Sequence, residues 1–118
     1  NAEEVASPHL VGDVKGRDCV LVDDLTATGG TLIAASEKLK EHGASRIFAA
    51  VSHCGMVDDA YKRIEESCIT ELLTTDTIPA GAEEKCSKIR VLSVASLLGE
   101  AIRRIHEGRS VSSLFRLD

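Results

Sequence analysis

The sequence predicts an α/β domain in which a parallel β-sheet is flanked by helices. Four short apolar runs suited to buried strands recur along the chain, and amphipathic segments lie between them and after the last. Strands that alternate with helices are typical of right-handed crossover units, which cover both faces of a parallel sheet. With 118 residues and 43% apolar composition, the chain is expected to form a single domain over residues 1–118.

The four predicted strands are each four or five residues long and mainly apolar. Runs this short and this apolar are typical of strands that are covered on both faces. In chain order they are Cys19–Val22, Ile47–Val51, Ile69–Leu73 and Ile89–Leu92.

The first predicted helix spans residues 31–42 and follows the first strand. Leu32, Ala35 and Leu39 share one of its faces, and Gly43 is suited to the left-handed residue that ends a helix. A second, shorter helix is expected to begin at Asp58 or Asp59.

The last helix has the broadest apolar stripe, and Gly108 is predicted to end it. Two arginines on the same helix, Arg103 and Arg104, are expected to lie on its solvated face or at an interface. The segment 80–87 reads as a surface loop. The stripe comprises Leu97, Leu98, Ala101, Ile102 and Ile105.

Charge and cysteine content exclude several classes of function. Fourteen Lys and Arg residues stand against nineteen Asp and Glu, and a net charge of -5 has the wrong sign for holding nucleic acid. The four cysteines form no C-x-x-C pair, so reduced thiols in a cytoplasmic protein are expected. No run reaches transmembrane length, and no membrane partner is predicted. Because the first residue is Asn1 and not methionine, the sequence is interpreted as part of a longer protein.

The stretch VLVDDLTATGGT, residues 20–31, carries the candidate site. Asp23 and Asp24 follow the first apolar run, and ATGGT at 27–31 leads into the first helix. Glycines allow successive backbone N–H groups to converge, and a helix N-terminus favours an anion at the same place. Thr28 and Thr31 can donate further hydrogen bonds. The turn therefore predicts a phosphate site.

Two carboxylates beside that turn indicate the rest of the ligand. Carboxylate oxygens accept hydrogen bonds from vicinal hydroxyls, so a sugar phosphate satisfies both halves of the motif. The stretch has neither the ending of a P-loop nor the spacing of a dinucleotide fingerprint. The alternative is a strand-to-helix turn that binds nothing.

VLVDDLTATGGT resembles the phosphoribosyl-diphosphate signature of the type I phosphoribosyltransferase fold. Four further stretches extend the resemblance over essentially the whole chain, and together they resemble the C-terminal part of the ribose-phosphate pyrophosphokinase family, also called phosphoribosyl pyrophosphate synthetases. The four stretches are LVGDVKGRDCVLVDD at 10–24, EKLKEHGASRIFAAVSH at 37–53, TDTIP at 75–79 and CSKIRVLSVASLLGEAIRRIHEGRSVSSLF at 86–115.

The resemblance implies an enzyme that transfers the diphosphoryl group of ATP to the 1-hydroxyl of ribose 5-phosphate with Mg²⁺. In the family, the ATP-binding half and the catalytic Lys/Arg flap precede the position of Asn1. The chain alone is therefore expected to bind ribose 5-phosphate without catalysing, to hold no catalytic residue, to leave the magnesium ligands mainly outside, and to form a homo-oligomer. The implied substrate contacts are Asp23, Asp24, Ala27, Thr28, Gly29, Gly30 and Thr31.

The tail resembles the segment that lines a regulatory site for ADP or inorganic phosphate in phosphate-activated members. The implied contacts are Ser110, Val111, Ser112 and Phe115, with the Phe115 ring able to stack on adenine. The alternative is a tail that is held only by burial of Leu114 and Phe115.

Several departures from the family keep other functions open. Ala27 stands where the family usually has a third aspartate, and HCGMVDDA at 53–60 replaces its usual H-G-x-x-S-G-x-A. Asp76 replaces a usual asparagine.

A base phosphoribosyltransferase is one alternative, although no segment suits its base-specificity hood. A non-catalytic regulatory homologue that assembles with active subunits is the other. His53 and Cys54 are not expected to pair as base and nucleophile, because adjacent strand residues face opposite ways.

Overall fold

The computed structural model describes residues 9–79 and 81–116. Strands and helices alternate along these residues, as the sequence predicts. In chain order the elements are β1 (Cys19–Thr26), α1 (Gly30–Glu41), β2 (Ile47–Cys54), α2 (Asp58–Glu66), β3 (Glu71–Thr75), α3 (Ala82–Lys85), β4 (Ile89–Leu92), α4 (Ala95–His106) and a 3₁₀ helix (Ser112–Phe115).

The four strands form one parallel sheet in the order β1-β2-β3-β4. Its central row joins Leu21, Ala49, Leu72 and Ile89 across all four strands. The predicted fold class, a parallel sheet flanked by helices, is therefore confirmed.

One face of the sheet carries the core. Leu32 of α1, Ile64 of α2 and Ala82 of α3 belong to the same buried cluster as Ala49 and Leu72 of the sheet. Each strand lies beside the previous one in the same direction, and right-handed crossovers then bring every connecting helix to the same side. The three helices consequently share one layer.

The opposite face of the sheet is open in the described part of the chain. Val20, Val22 and Leu92 are 62%, 80% and 57% exposed. The expectation that helices cover both faces is thus not met. The reason is the order of the strands, because a sheet that grows in one direction receives its crossover helices on one side only. Helix α4 follows the last strand and has no buried residue.

Strand and helix ends differ from the predictions by a few residues. Strand β1 continues to Thr26, through the two aspartates, and β2 continues to Cys54. The apolar runs predict earlier ends because polar residues follow them: Asp23 and Asp24 continue β1, and Ser52 and His53 continue β2. Helix α2 begins at Asp58 with Val57 as its N-cap, and Gly43 has the left-handed φ of 87° expected of it.

The prediction of a surface loop at 80–87 is wrong, because the segment contains α3. Ala82 and Cys86 are 5% and 3% exposed and belong to the core. A helix of four residues is too short to show an apolar period.

All four cysteines are unpaired, as expected. No helix in the described ranges has the length and apolar character needed to cross a bilayer.

Candidate functional site

The turn between β1 and α1 has the backbone geometry that the sequence predicts for an anion site. Gly29 is the N-cap of α1 and adopts a left-handed conformation with φ 71° and ψ -6°. A side chain at that φ is strained, so glycine is required. Gly30 then begins the helix. The chain reverses direction in this turn, at the carboxyl ends of the strands, where α/β proteins bind ligands.

Several backbone N–H groups of this turn are free to bind a ligand. The N–H of Gly30 donates to the Thr28 hydroxyl at 3.3 Å. Over residues 9–79 and 81–116, no protein acceptor is bonded to the N–H groups of Thr28, Gly29 or Thr31. The first turn of α1 carries no acidic residue and no side-chain cap. The positive end of the helix is therefore uncompensated, which favours an anion.

Helix α2 forms the back wall of the turn. A Cβ on Gly29 would lie 3.2 Å from Cδ1 of Ile64. The next-door residue Arg63 donates from Nη1 to the backbone oxygen of Thr28 at 3.3 Å. On the other side, the Gly55 N–H donates to the oxygen of Thr26 at 3.1 Å. The turn is thus bonded to α2, and the strand end that precedes it is bonded to the residue that follows β2.

The two aspartates precede the turn as consecutive residues of β1. Successive strand residues project to opposite faces, so the carboxylates diverge from one another. The Asp24 N–H donates to Oδ1 of Asp23 at 2.8 Å, and no group in the described ranges donates to the other oxygen of Asp23. Asp23 is half-buried, whereas Asp24 and Ala27 are exposed. The structure therefore brings Asp23 and the turn to one edge of the sheet.

His53 and Cys54, at the end of β2, have separate environments. His53 is exposed, and its Nδ1 is hydrogen-bonded to the Thr77 hydroxyl at 2.7 Å. Cys54 is buried, and this burial raises the pKa of its thiol. A buried thiol with a raised pKa is a poor nucleophile. The geometry agrees with the expectation that the two do not act as a catalytic pair.

Beyond β3, Asp76 links the carboxyl edge of the sheet to α4. Its Oδ1 accepts the Val94 N–H at 2.9 Å, and hydrogen bonds from the Ser93 hydroxyl and from Val94 lower the pKa of Asp76. A cavity of about 210 Å³ lies beside it, against α3. The Thr74 hydroxyl in its wall is buried and has no hydrogen-bond partner among the described residues.

The tail folds back on α4, and no hydrogen bond among the described residues joins it to the turn. Arg104 donates to the Ser110 oxygen at 3.2 Å and to the Ser113 hydroxyl. The Ser110 and Ser112 hydroxyls lie 2.8 Å apart. Phe115 is 77% exposed, so burial of that ring does not hold the tail.

The solvated-face alternative for Arg104 is wrong, and the interface alternative stays a prediction. The Arg104 side chain is 19% exposed and bridges Glu100 to the tail, whereas Arg103 is 56% exposed and, among the described residues, pairs only with Glu100. The spacing of Glu100 and Arg104, four residues apart on a helix, was the available sequence signal. Arg63 was also missed, and no local spacing marks it.

Comparison with known proteins gives one consistent family. The family model described as "Phosphoribosyl synthetase-associated domain" matches residues 2–116. A ribose-phosphate pyrophosphokinase of Caldanaerobacter subterraneus subsp. tengcongensis is 52% identical over 107 residues, which are 91% of this chain and 34% of that protein. Ribose-phosphate pyrophosphokinase A of Dictyostelium discoideum is 47% identical over 115 residues, 97% of this chain and 36% of that protein.

A solved structure agrees with the sequence relatives. The crystal structure of phosphoribosylpyrophosphate synthetase from Mycobacterium smegmatis matches with a TM-score of 0.79 and 39% sequence identity. The match covers 83% of this chain and 33% of that one. The chain thus spans about a third of the length of the relatives that it matches.

Proposed function

The chain belongs to the phosphoribosyl synthetase-associated domain family, and we propose that it is the ribose 5-phosphate-binding, C-terminal part of a ribose-phosphate pyrophosphokinase. The whole enzyme would transfer the β,γ-diphosphoryl group of ATP to the 1-hydroxyl of ribose 5-phosphate: the bond between the α- and β-phosphates breaks, AMP leaves, and the hydroxyl proton is released. The observation that carries this proposal is the turn at Gly29, where free N–H groups and an uncompensated helix N-terminus meet at the carboxyl edge of the sheet.

In the proposed complex, the 5-phosphate lies in the turn formed by residues 27–31. Backbone N–H groups and the hydroxyl of Thr31 would donate to its oxygens. The free carboxylate oxygen of Asp23 would accept from a ribose hydroxyl, which keeps the two negative groups apart. Asp24 lies next to Asp23 on the strand with its side chain on the opposite face, so Asp23 would be the principal carboxylate contact and Asp24 a neighbouring charge at the sugar. Binding at this site would align the sugar 1-hydroxyl for attack on the β-phosphorus of ATP.

ATP and Mg²⁺ belong to the proposal for the whole enzyme. No group of three or more His, Cys, Asp or Glu side chains is placed to hold a metal ion in the described ranges. The described residues by themselves do not fit a magnesium site built from protein side chains alone. Magnesium commonly binds through substrate phosphates and one or two carboxylates. Its remaining ligands would come from the rest of the enzyme, and the enzyme would be a homo-oligomer.

The tail remains a candidate for regulation by ADP or phosphate. Two hydroxyls, those of Ser110 and Ser112, lie together on its exposed side, and the Phe115 ring is free to stack. Arg104 holds this arrangement from behind.

The comparisons favour the synthetase over a base phosphoribosyltransferase, because the pyrophosphokinase match extends from the phosphate turn to the tail.

Calorimetric titration of the 118-residue chain with ribose 5-phosphate tests the proposed site. Asp23→Asn keeps the size of the side chain and removes its charge. Binding is expected to weaken roughly 10- to 100-fold, because hydrogen bonds to charged groups contribute about 1.5–3 kcal/mol. Asp59→Asn, an exposed aspartate on α2, is the matched control and should bind like the unmodified chain. Absence of binding by the unmodified chain would contradict the proposal, and equal effects of the two substitutions would remove Asp23 from the site.

A further inference from the structure

We propose that Arg63 is a positioning residue for phosphate binding: it holds the Thr28–Gly29 peptide so that the Gly29 N–H points into the turn. This inference rests on the proposed function, since the anion it serves is the 5-phosphate of the sugar. Arg63 itself lies on the carbonyl side of the turn, behind the proposed binding surface. Its action is through the backbone and not through contact with the ligand.

The planar peptide links the two sides of the turn. The Arg63 guanidinium donates to the Thr28 oxygen, and that oxygen belongs to the same peptide unit as the Gly29 N–H. The described peptide bonds are trans, so the C=O and N–H of this unit point in opposite directions. A bond that fixes the carbonyl from behind therefore also fixes the direction of the N–H in front.

This peptide requires such a restraint because of Gly29. Glycine rotates more freely about φ and ψ than any other residue, and its flanking peptides reorient at low cost. The side chain of Ile64 packs against Gly29 but restrains its position without setting the direction of the peptide. The hydrogen bond from Arg63 is directional and supplies what packing does not.

Charge adds to the effect of geometry. A hydrogen bond from a cation polarises the peptide and makes its N–H a stronger donor. In the part of the chain that the structure describes, no carboxylate lies within salt-bridge distance of Arg63, and no other Lys or Arg side chain is hydrogen-bonded to residues 27–31. Its positive charge is therefore available to offset Asp23 and Asp24 when a second anion enters the site.

Three variants of the 118-residue chain separate this role from a general loss of charge. Arg63→Met removes the donor and the charge, and Arg63→Lys keeps the charge without the planar fork. Lys62→Met is the matched control: it lies on the same helix, is 73% exposed, and pairs only loosely with Glu66 at 4.0 Å. Each variant is titrated with ribose 5-phosphate and, separately, with inorganic phosphate, and the amide resonance of Gly29 is followed by ¹H–¹⁵N NMR.

Arg63→Met is expected to weaken binding of both ligands roughly tenfold and to shift the Gly29 amide resonance before any ligand is added. Arg63→Lys should recover part of the affinity, and Lys62→Met should change neither readout. Unchanged affinity or an unmoved Gly29 resonance in Arg63→Met would overturn the role of Arg63, as would an equal loss in Lys62→Met. If Arg63→Met does not fold, the same two readouts of Arg63→Lys decide. A folded, unmodified chain that binds neither ligand would instead overturn the proposed function, and this inference with it.

Discussion

Gly29 is the residue on which the geometry of the turn depends most directly. It has a left-handed φ of 71°, and a Cβ there would lie 3.2 Å from the Ile64 side chain. Gly108 has nearly the same φ, 68°, but a Cβ on it would meet nothing within 4 Å. The two glycines therefore have the same backbone requirement, and only Gly29 has a packing requirement as well.

Gly29→Ala is expected to lower the free energy of unfolding more than Gly108→Ala does. Both substitutions place a Cβ at a left-handed φ, which costs about 1–2 kcal/mol. In Gly29→Ala, the clash with Ile64 adds to this cost and displaces the N–H groups of the turn. Urea unfolding measures the stability difference, and calorimetry is expected to show loss of ribose 5-phosphate binding in Gly29→Ala alone. Equal destabilisation with retained binding would show that the turn does not depend on close packing against α2.

At this scale the sequence predicts the residues of the turn but not the residue behind it. Thr28 to Thr31 are contiguous, so their common role can be read from one stretch. Arg63 contacts the turn across 35 residues of sequence. Its role depends on the position of α2 relative to the end of β1, and no local pattern specifies that position. Arg104 is an intermediate case, because its partner Glu100 is local while the tail contact is not.

At the scale of elements, α2 is also attached to the segment before β4. Glu65 accepts hydrogen bonds from the Cys86 thiol at 3.0 Å, the Ser87 N–H at 2.8 Å and the Ser87 hydroxyl. The Ser87 hydroxyl and then the Cys86 thiol are the main causes that lower the pKa of Glu65 to about 2, from 4.5. The carboxylate form is therefore favoured by the folded state.

A lowered pKa in the folded state makes stability depend on pH. The unfolded chain binds the proton of Glu65 near pH 4.5 and the folded chain only near pH 2. The contribution of Glu65 is thus complete above about pH 4.5 and decreases as pH falls towards 2. The stability advantage of the unmodified chain over Glu65→Gln, measured by urea unfolding, should shrink between pH 6 and pH 3. Glu66→Gln, whose partner Lys62 lies 4.0 Å away, is the control, and a pH-independent difference for Glu65→Gln would contradict the assignment.

Elements were predictable where one buried run or one apolar stripe defines them. The predicted bounds of β4, Ile89–Leu92, match the structure, and Gly43 and Gly108 follow their helices with left-handed φ. Helix α3 was not predictable, because four residues span about one turn. Helix α4 shows the converse: its stripe correctly predicts a helix, but amphipathicity does not identify a packing partner, and Leu97 and Ile102 are 45% and 68% exposed.

On the scale of the whole molecule, the order of the strands explains the open face of the sheet. Ligands of open parallel sheets bind where the order of the strands reverses, and the order β1-β2-β3-β4 never reverses among the described residues. The phosphate turn follows β1, the strand at the end of this order. A strand that preceded β1 and lay beside it would extend the same order, whereas a strand that followed β4 and lay beside β1 would reverse it and run its crossover over the open face. The described strand order thus accounts for the open face, and the phosphate turn lies at the carboxyl end of the first strand.

The open face should bind an apolar dye while the chain is folded. Val20 and Val22 are alternate residues of β1, so they lie on the same face, and they expose 62% and 80% of their surface. Monomeric proteins rarely expose contiguous apolar surface of this kind. The 118-residue chain is therefore expected to enhance the fluorescence of 8-anilinonaphthalene-1-sulfonate under conditions where its unfolding is cooperative.

The double substitution Val20→Thr and Val22→Thr keeps the β-branched shape, so the strand should persist while most of the enhancement is lost. Val11→Thr, at a valine that is 95% exposed outside the sheet, should leave the enhancement unchanged. Dye binding that survives the double substitution would locate the apolar surface elsewhere, with the stripe of α4 as the next surface to test by Ile102→Thr.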